Sequence, residues 1–232
     1  MRPRLTLVPS HPDQMAPDLE QLRTAVAAFK AVSPAVSSSV ADETSREMDL
    51  SGREDRVAML RWLNSWGCRI RYSRLGEPDL FDIGIRDWSA RWSAAMVGTT
   101  ARMSELTDEE IATAGECYAD LVTLPIGIPG RPRSLGATAA SKLLHRLRPH
   151  AFMPWDEAIA RQLHGARDHC AYMAHQRLGR AWARRLLAET DLDERGLAAA
   201  VDAEDRTLPK LLDDYCYIRY TRGDDLTPPR VN

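Results

Sequence analysis

The residue types that could do chemistry gather in residues 136–159, GATAASKLLHRLRPHAFMPWDEAI. Here Asp156 follows a turn with a proline on each side, and these prolines direct it to the start of a helix. Such a carboxylate either caps the helix or, beside a basic surface, stabilises a sugar cation or deprotonates a nucleophile. Lys142 precedes it on the predicted helix. The residues alone therefore predict either a helix cap or a site carboxylate at Asp156.

The helix that would carry Lys142 is predicted over residues 137–147. Its buried stripe is formed by residues at helical spacing, Ala140, Leu143, Leu144 and Leu147. The other side carries Thr138, Lys142, His145 and Arg146. Gly136 lies immediately before the helix, where free N–H groups and the positive end of the helix dipole suit a phosphate. We therefore expect an exposed basic face that binds a nucleic-acid backbone.

The distribution of charge supports this expectation. The whole chain has a net charge of −2, yet residues 126–185 hold eleven Arg or Lys, three carboxylates and five of the six histidines. A basic stretch within an otherwise acidic chain is typical of a phosphate-binding surface. The alternatives are a solvated helix face or a basic face that binds acidic protein partners.

Helical periodicity dominates the rest of the chain and predicts an all-α fold. Residues 1–50 read as an N-terminal helix followed by a mobile linker at 32–45, and residues 51–232 as one helical domain. Ser51 is a candidate helix cap, and Thr107 with Glu110 a candidate capping box. A loop is predicted over 125–134, and a loop or short hairpin over 68–84. The predicted helices are 17–32, 51–66, 85–96, 107–124, 137–147, 155–163, 171–189, 193–201 and 208–220.

Several classes of protein are disfavoured by composition. No apolar run reaches the roughly 18 residues of a membrane span, and the N-terminus does not resemble a signal peptide. The four cysteines form no C-x-x-C pair, which argues against a zinc ribbon or an iron–sulfur cluster. The histidines and cysteine at 164–175 match no metal-ligand spacing. We therefore expect a cytoplasmic, nucleoid-associated monomer without metal or cofactor.

The segments G-x-T-A-A-x-x-L-L and P-W-D-x-x-I-x-R, which lie within residues 136–161, resemble the core of the helix-hairpin-helix DNA glycosylases. The variant in this chain is similar to a bacterial branch related to 8-oxoguanine glycosylases. The resemblance implies a two-lobed helical fold with a helix-hairpin-helix element that binds double-stranded DNA. It also implies that Asp156 is the essential carboxylate and that a base is flipped out of the duplex.

The resemblance has departures that leave the role of Lys142 open. The hairpin of the family reads close to L-P-G-V-G, whereas this chain has P-R-S-L-G after a long Pro/Gly loop. Lys142 lies about one helical turn beyond the usual position of the family's lysine. It is either a Schiff-base nucleophile, which would add strand nicking, or a phosphate contact.

Two further sets of residues complete the predicted site. Contacts with DNA are expected from Gly136, Thr138, Ser141, His145, Arg146 and Arg133. Walls of a base pocket are expected from Trp155, Tyr217 and Trp66, although packing in the core is the alternative for each. The function predicted is excision of oxidised guanine or of a hypermodified phage base, the latter as antiviral defence. A non-catalytic DNA-binding protein on the same fold is the alternative.

Overall fold

The computed structural model describes residues 16–33, 47–128 and 130–224. Within these ranges the chain forms nine α-helices and no strand, so the all-α prediction is confirmed. A 3₁₀ turn at Met103–Glu105 and a π-helical segment at Tyr217–Arg222 complete the regular structure. The helices are α1 Leu19–Val32, α2 Arg53–Ser65, α3 Leu80–Trp92, α4 Asp108–Thr123, α5 Ala137–Leu147, α6 Glu157–His164, α7 His169–Thr190, α8 Glu194–Ala200 and α9 Leu208–Cys216.

Most helix starts follow from capping side chains. The predicted capping box is present, because Thr107 accepts a hydrogen bond from the amide of Glu110 and the Glu110 carboxylate accepts one from the amide of Thr107. At α2 the prediction was wrong, because the cap is Gly52 and the Ser51 hydroxyl instead donates to Asp49. Helix α3 begins five residues before the predicted position 85, after the Asp79 cap. The local sequence therefore indicates helix existence better than helix boundaries.

Helix α7 lies at the centre of the fold. It packs against α4 and the 3₁₀ turn and also contacts α6, α8 and α9. Helix α1 packs on α9 and on the π-helical segment, and its Leu22, Val26 and Phe29 are buried in the same apolar core. The predicted boundary at residue 50 therefore does not set α1 apart from the core. Most of the predicted linker at 32–45 lies outside the described residues.

The loop of residues 124–136 and helix α5 position residues of the site. The loop of residues 124–136 joins α4 to α5, which pack together, and it contains isolated antiparallel bridges between Pro125 and Ser134 and between Ile128 and Arg131. Helix α5 also packs against α2 and is therefore covered on two sides. In the described part of the chain, no helix is long and apolar enough to cross a membrane.

Candidate active site

A cavity of about 300 Å³ opens where α2, α5, the start of α6 and the π-helical segment meet. Its walls include every residue that the sequence predicted as catalytic or as part of a base pocket, namely Lys142, Asp156, Trp66, Trp155 and Tyr217. These residues come from four separate parts of the chain, so no local pattern required them to converge. The cavity also contains residues without a predicted role, among them Phe29 and Ser33 from the α1 region and Asp213 from α9.

Asp156 is both the cap of α6 and a wall of the cavity. Its Oδ1 accepts a hydrogen bond from the amide of Ile159 at 2.8 Å, and its Oδ2 accepts one from the hydroxyl of Thr221 at 2.6 Å. Thr221 comes from the π-helical segment, which also carries Tyr217 into the cavity. The two predicted roles of Asp156, helix cap and site carboxylate, are therefore compatible in one geometry.

The turn that leads to Asp156 is held by side chains rather than by regular structure. The amide of Gln176 bonds both the N–H and the C=O of Met153, each at 2.9 Å. His145 Nδ1 lies 2.8 Å from the Phe152 carbonyl and His175 Nε2 lies 3.2 Å from that of Pro154, so each ring nitrogen carries the proton. The Ser141 hydroxyl bonds both backbone groups of Trp155. These contacts fix the position of Asp156 relative to α5.

Lys142 points into the cavity and does not form an exposed basic surface. Its Nζ donates to the Trp66 carbonyl at 3.0 Å and lies 4.9 Å from the centre of the Trp66 ring. Burial lowers the pKa of this amine, and the positive charge of Lys210 lowers it further, while Cys68, Asp213 and Asp156 partly offset the shift. A buried lysine with a lowered pKa is a better nucleophile than an exposed one, because more of it is unprotonated near neutral pH.

The aromatic walls differ in what they offer a ligand. Trp66 is half-buried, and Tyr217, also half-buried, packs edge-on against Phe29 with ring centres 5.3 Å apart. Trp155 is only 1% exposed and packs edge-on against Tyr118 and Tyr172. Trp66 and Tyr217 therefore keep part of their surface accessible at the cavity, whereas Trp155 mainly supports the position of its neighbour Asp156.

A buried ionic network lies beneath the cavity. Lys210 donates to Asp213 at 2.8 Å and also bonds Asp214, which in turn pairs with Arg206. Sequence reasoning gave these residues no role. The scarcity of lysine could have drawn attention to Lys210. The chain has only three lysines, at positions 30, 142 and 210, and its remaining basic side chains of this class are arginines. Two of these three lysines lie at the cavity.

The exposed basic face predicted for α5 is not present. Ser141, His145 and Arg146 are 0%, 5% and 8% exposed, because the turn after α5 and the neighbouring α2 cover the side that was predicted to face solvent. Burial lowers the pKa of His145 to about 4, so this ring is neutral at physiological pH. These three residues are therefore removed from the predicted DNA contacts.

The other predicted contacts with DNA lie at or near the surface. Gly136 adopts a φ of +83° at the cap of α5, and both Gly136 and Thr138 are half-buried. The amide of Gly136 donates to the Val122 carbonyl, so the unbonded N–H groups at this helix end begin at residue 137. Arg133 is exposed, but its guanidinium donates to the carbonyls of Cys68 and Arg69. Arg133 thus ties the loop before α5 to the loop after α2.

Much of the positive charge on α6 and α7 is already paired within the chain. Arg177 and Arg180 both contact Asp108, and Arg185 contacts Glu189. On α6 and just after it, Arg161 and Arg167 both contact Glu157. The charge count along the sequence therefore overstates the positive surface that this region offers a polyanion.

An exposed basic segment follows the rim of the cavity directly. Trp66 and Gly67 line the cavity, and the loop of residues 67–77 continues from them with exposed Arg69, Arg71 and Arg74. Of these, Arg71 pairs with Glu77 of the same loop at 2.7 Å. The same loop exposes two large apolar side chains, Tyr72 at 52% and Leu75 at 105%. Sequence reasoning read this segment only as a loop or hairpin, because it lies outside the basic stretch. The exposure of these side chains is determined by the tertiary structure and not by the local sequence pattern.

The histidines of α6 and α7 form a pair rather than a metal site. His164 Nε2 lies 3.1 Å from His175 Nδ1, and since His175 donates through Nε2 to Pro154, His164 must donate to His175. Burial lowers the pKa of His164 to about 4 and that of His175 to about 3, where the charge of His164 contributes. Among the described residues, no group of three or more potential ligands is placed to hold a metal ion.

Comparison with known proteins does not supply an assignment. No family model, no curated protein and no solved structure matches this chain. The interpretation of the cavity therefore depends on its own geometry and chemistry.

Proposed function

We propose that the protein is a DNA glycosylase that takes a damaged or modified base into the cavity and cleaves its N-glycosidic bond. One observation carries the proposal: Asp156, fixed by two hydrogen bonds, and Lys142, a half-buried amine of lowered pKa, line one cavity with the half-buried rings of Trp66 and Tyr217. A carboxylate can stabilise the sugar cation that forms in N-glycosidic cleavage, and an amine can serve as the nucleophile at the sugar carbon.

The size and lining of the cavity suit a flipped base. Its volume of about 300 Å³ is at the lower end of small-molecule sites. Trp66 and Tyr217 offer flat surfaces, and aromatic stacking is the general means by which enzymes hold an extruded base. Asp213 adds a carboxylate that can accept hydrogen bonds from N–H groups on a base edge.

The two reactive groups have distinct roles in this proposal. The Asp156 carboxylate stabilises positive charge on the sugar as the bond between C1′ and the base lengthens. The electron pair of that bond leaves with the base, which takes a proton. The Lys142 amine then attacks C1′ and gives up one proton, after which the C1′–O4′ bond breaks, O4′ takes a proton and the nitrogen forms a protonated Schiff base with C1′. If water attacks instead, an abasic site is formed and Lys142 only lines the pocket.

Binding of duplex DNA is supported by the loop of residues 67–77. Its exposed Arg69 and Arg74 are suited to phosphates, Arg71 adds a charge that Glu77 partly offsets, and the loop begins at the rim of the cavity. Apolar side chains that enter a base stack are a known means of unstacking DNA, and Leu75 and Tyr72 are exposed on this loop. Helix α4, the loop of residues 124–136 and α5 would form the helix-hairpin-helix element on the same side. In this proposal two lobes enclose the cavity.

The substrate base is proposed from the sequence resemblance. Oxidised guanine is the first candidate, and a hypermodified base of phage DNA is the second. The test is to incubate the protein with duplexes that carry one oxidised, alkylated, deaminated or glucosylated base and to measure abasic sites. Release of one of these bases by the wild type, with loss of release in Asp156→Asn, is the expected result.

Two controls make the test decisive. Lys142→Arg keeps a positive charge but cannot form a Schiff base, so borohydride trapping of the wild type alone would assign strand nicking to Lys142. DNA binding is measured in parallel by fluorescence anisotropy. If the wild type and Asp156→Asn bind DNA equally and neither releases any base, the non-catalytic DNA-binding alternative replaces the proposal.

A further inference from the structure

Two of the three lysines of the chain flank one aromatic ring. Lys142 Nζ lies 4.9 Å and Lys210 Nζ lies 5.0 Å from the centre of the Trp66 ring. Lys210 is 2% exposed and also lies 4.3 Å from the ring centre of Phe29. Two ammonium groups so close to one ring would repel each other, and the surrounding carboxylates are shared unequally between them.

The hydrogen bonds show how these carboxylates are shared. Lys210 bonds both Asp213 and Asp214, whereas the hydrogen bond of Lys142 goes to an uncharged backbone carbonyl, that of Trp66. Asp156, which lines the same cavity, accepts from Ile159 and Thr221. Asp213 also lines the cavity, but its Oδ2 is bonded to Lys210 at 2.8 Å. The amine at the cavity therefore has no salt bridge within the described residues.

We infer that Lys210 is a positioning residue, which holds the Asp213 carboxylate and thereby keeps the Lys142 amine out of an ion pair. Without Lys210, the buried Asp213 would lose its cation, and Lys142 would be a nearby group able to neutralise it. An ion pair would keep the amine protonated and so remove its nucleophilic electron pair. The inference concerns an amine and its neighbours, and only its catalytic consequence rests on the proposed function.

The groups that act on the Lys142 amine come from each side of the cavity. Cys68, in the loop after α2, and Asp156, at the start of α6, favour the protonated form, as does Asp213 from α9. Lys210 from α9 disfavours it, as burial does. Asp213 and Lys210 thus act on the same amine in opposite directions, which provides a test that general damage to the fold cannot imitate.

The test is a titration of the lysine side chains by NMR. With three lysines in the chain, selective labelling with [ε-¹³C]lysine gives three signals, and Lys30→Arg and Lys142→Arg assign them. In Lys210→Met the titration midpoint of the Lys142 amine should rise by about one pH unit or more, because Asp213 becomes free to form an ion pair with that amine. In Asp213→Asn the midpoint should fall, because the nearby negative charge is lost. Lys210→Arg keeps the cation and should leave the midpoint close to that of the wild type.

These outcomes decide the inference without any DNA substrate. An unchanged Lys142 midpoint in both Lys210→Met and Asp213→Asn would overturn it, as would shifts in the same direction. If Lys210→Met does not fold, as judged by circular dichroism, a fall in Asp213→Asn supports the inference and the absence of a fall overturns it. If the midpoint rises in Lys210→Met and falls in Asp213→Asn but no base is released by the wild type, the glycosylase proposal is rejected and the positioning role of Lys210 stands.

If base release is found, the same variants have a catalytic readout. The pH at which borohydride trapping is half-maximal should move upward in Lys210→Met by the same amount as the NMR midpoint. A merely structural role for Lys210 would lower the amount trapped at every pH and leave that midpoint unchanged.

Discussion

Residues 136–159 and the loop of residues 67–77 both carry basic residues beside the cavity, but the fold uses them differently. In the first segment Lys142, His145 and Arg146 are turned inward, and their neighbours hold the turn before Asp156. In the second, Arg69, Arg71 and Arg74 are exposed. The comparison separates a part of the protein that would position the chemistry from a part that would hold the substrate. It also shows that a count of charges along a sequence does not distinguish these two uses.

The largest effect should come from the segment that would position the chemistry. Asp156→Asn keeps an acceptor for the amide of Ile159 but removes the negative charge from the cavity. Base release should fall by about 10³-fold, within the range found when a charged group of an active site is removed. Single-turnover kinetics under saturating enzyme measures the loss, and DNA affinity by anisotropy should change little. A similar loss of affinity would show that the two segments are not separable.

Acid should destabilise the fold through His145 of this segment and through His164 and His175, of which His175 donates to the Pro154 carbonyl of the same segment. In the unfolded chain a histidine titrates near 6.5, whereas in the fold the pKa values of His145 and His164 are about 4 and that of His175 is about 3. Below pH 6.5 the unfolded state therefore binds more protons, and the free energy of unfolding falls as the pH drops toward 4. Each histidine contributes a slope of at most about 1.4 kcal/mol per pH unit.

Urea unfolding between pH 7 and pH 4.5 measures this dependence. His145→Asn retains an N–H donor for the Phe152 carbonyl but does not titrate. The number of protons taken up on unfolding at low pH should therefore fall by about one, and the slope of the free energy of unfolding against pH should fall with it. Equal slopes in His145→Asn and the wild type would contradict the burial of this ring.

The helices that carry the site could be predicted from the sequence, but the burial of their side chains could not. The capping pattern at Thr107 and the turn before Asp156 are local, so the helices they begin could be predicted. The burial of His145 and Arg146 could not, because α5 is covered on two sides and helical periodicity does not reveal a second neighbour. The exposure of the loop arginines could not be predicted either, because the loop is anchored by a contact distant in sequence, from Arg133 to the carbonyls of Cys68 and Arg69.

A moderate effect is expected from the loop. Replacing Arg69, Arg71 and Arg74 together by Gln should weaken DNA binding by about tenfold at physiological salt, and each lost phosphate contact should reduce the salt slope by about 0.9. Base release at saturating enzyme should be retained. Arg177→Gln is a suitable control, because this exposed arginine is engaged with Asp108 away from the loop. If the control weakens binding as much as the triple variant, the charge on α7 is the docking surface and the comparison fails.

The smallest effect tests how finely the first segment is adjusted. The Thr221 hydroxyl donates to Asp156 Oδ2 at 2.6 Å, and Thr221→Val removes this bond while it preserves the shape of the side chain. The carboxylate would keep its charge and its bond to Ile159 but gain rotational freedom. Base release should therefore fall only a few-fold, since reaction rates depend on the orientation of a catalytic group as well as on its presence. Thr221→Ser keeps the hydroxyl and should restore the rate. If Thr221→Val is as inactive as Asp156→Asn, the hydroxyl itself takes part in the reaction. If Thr221→Ser fails to recover activity, the methyl group of Thr221 matters more than its hydrogen bond.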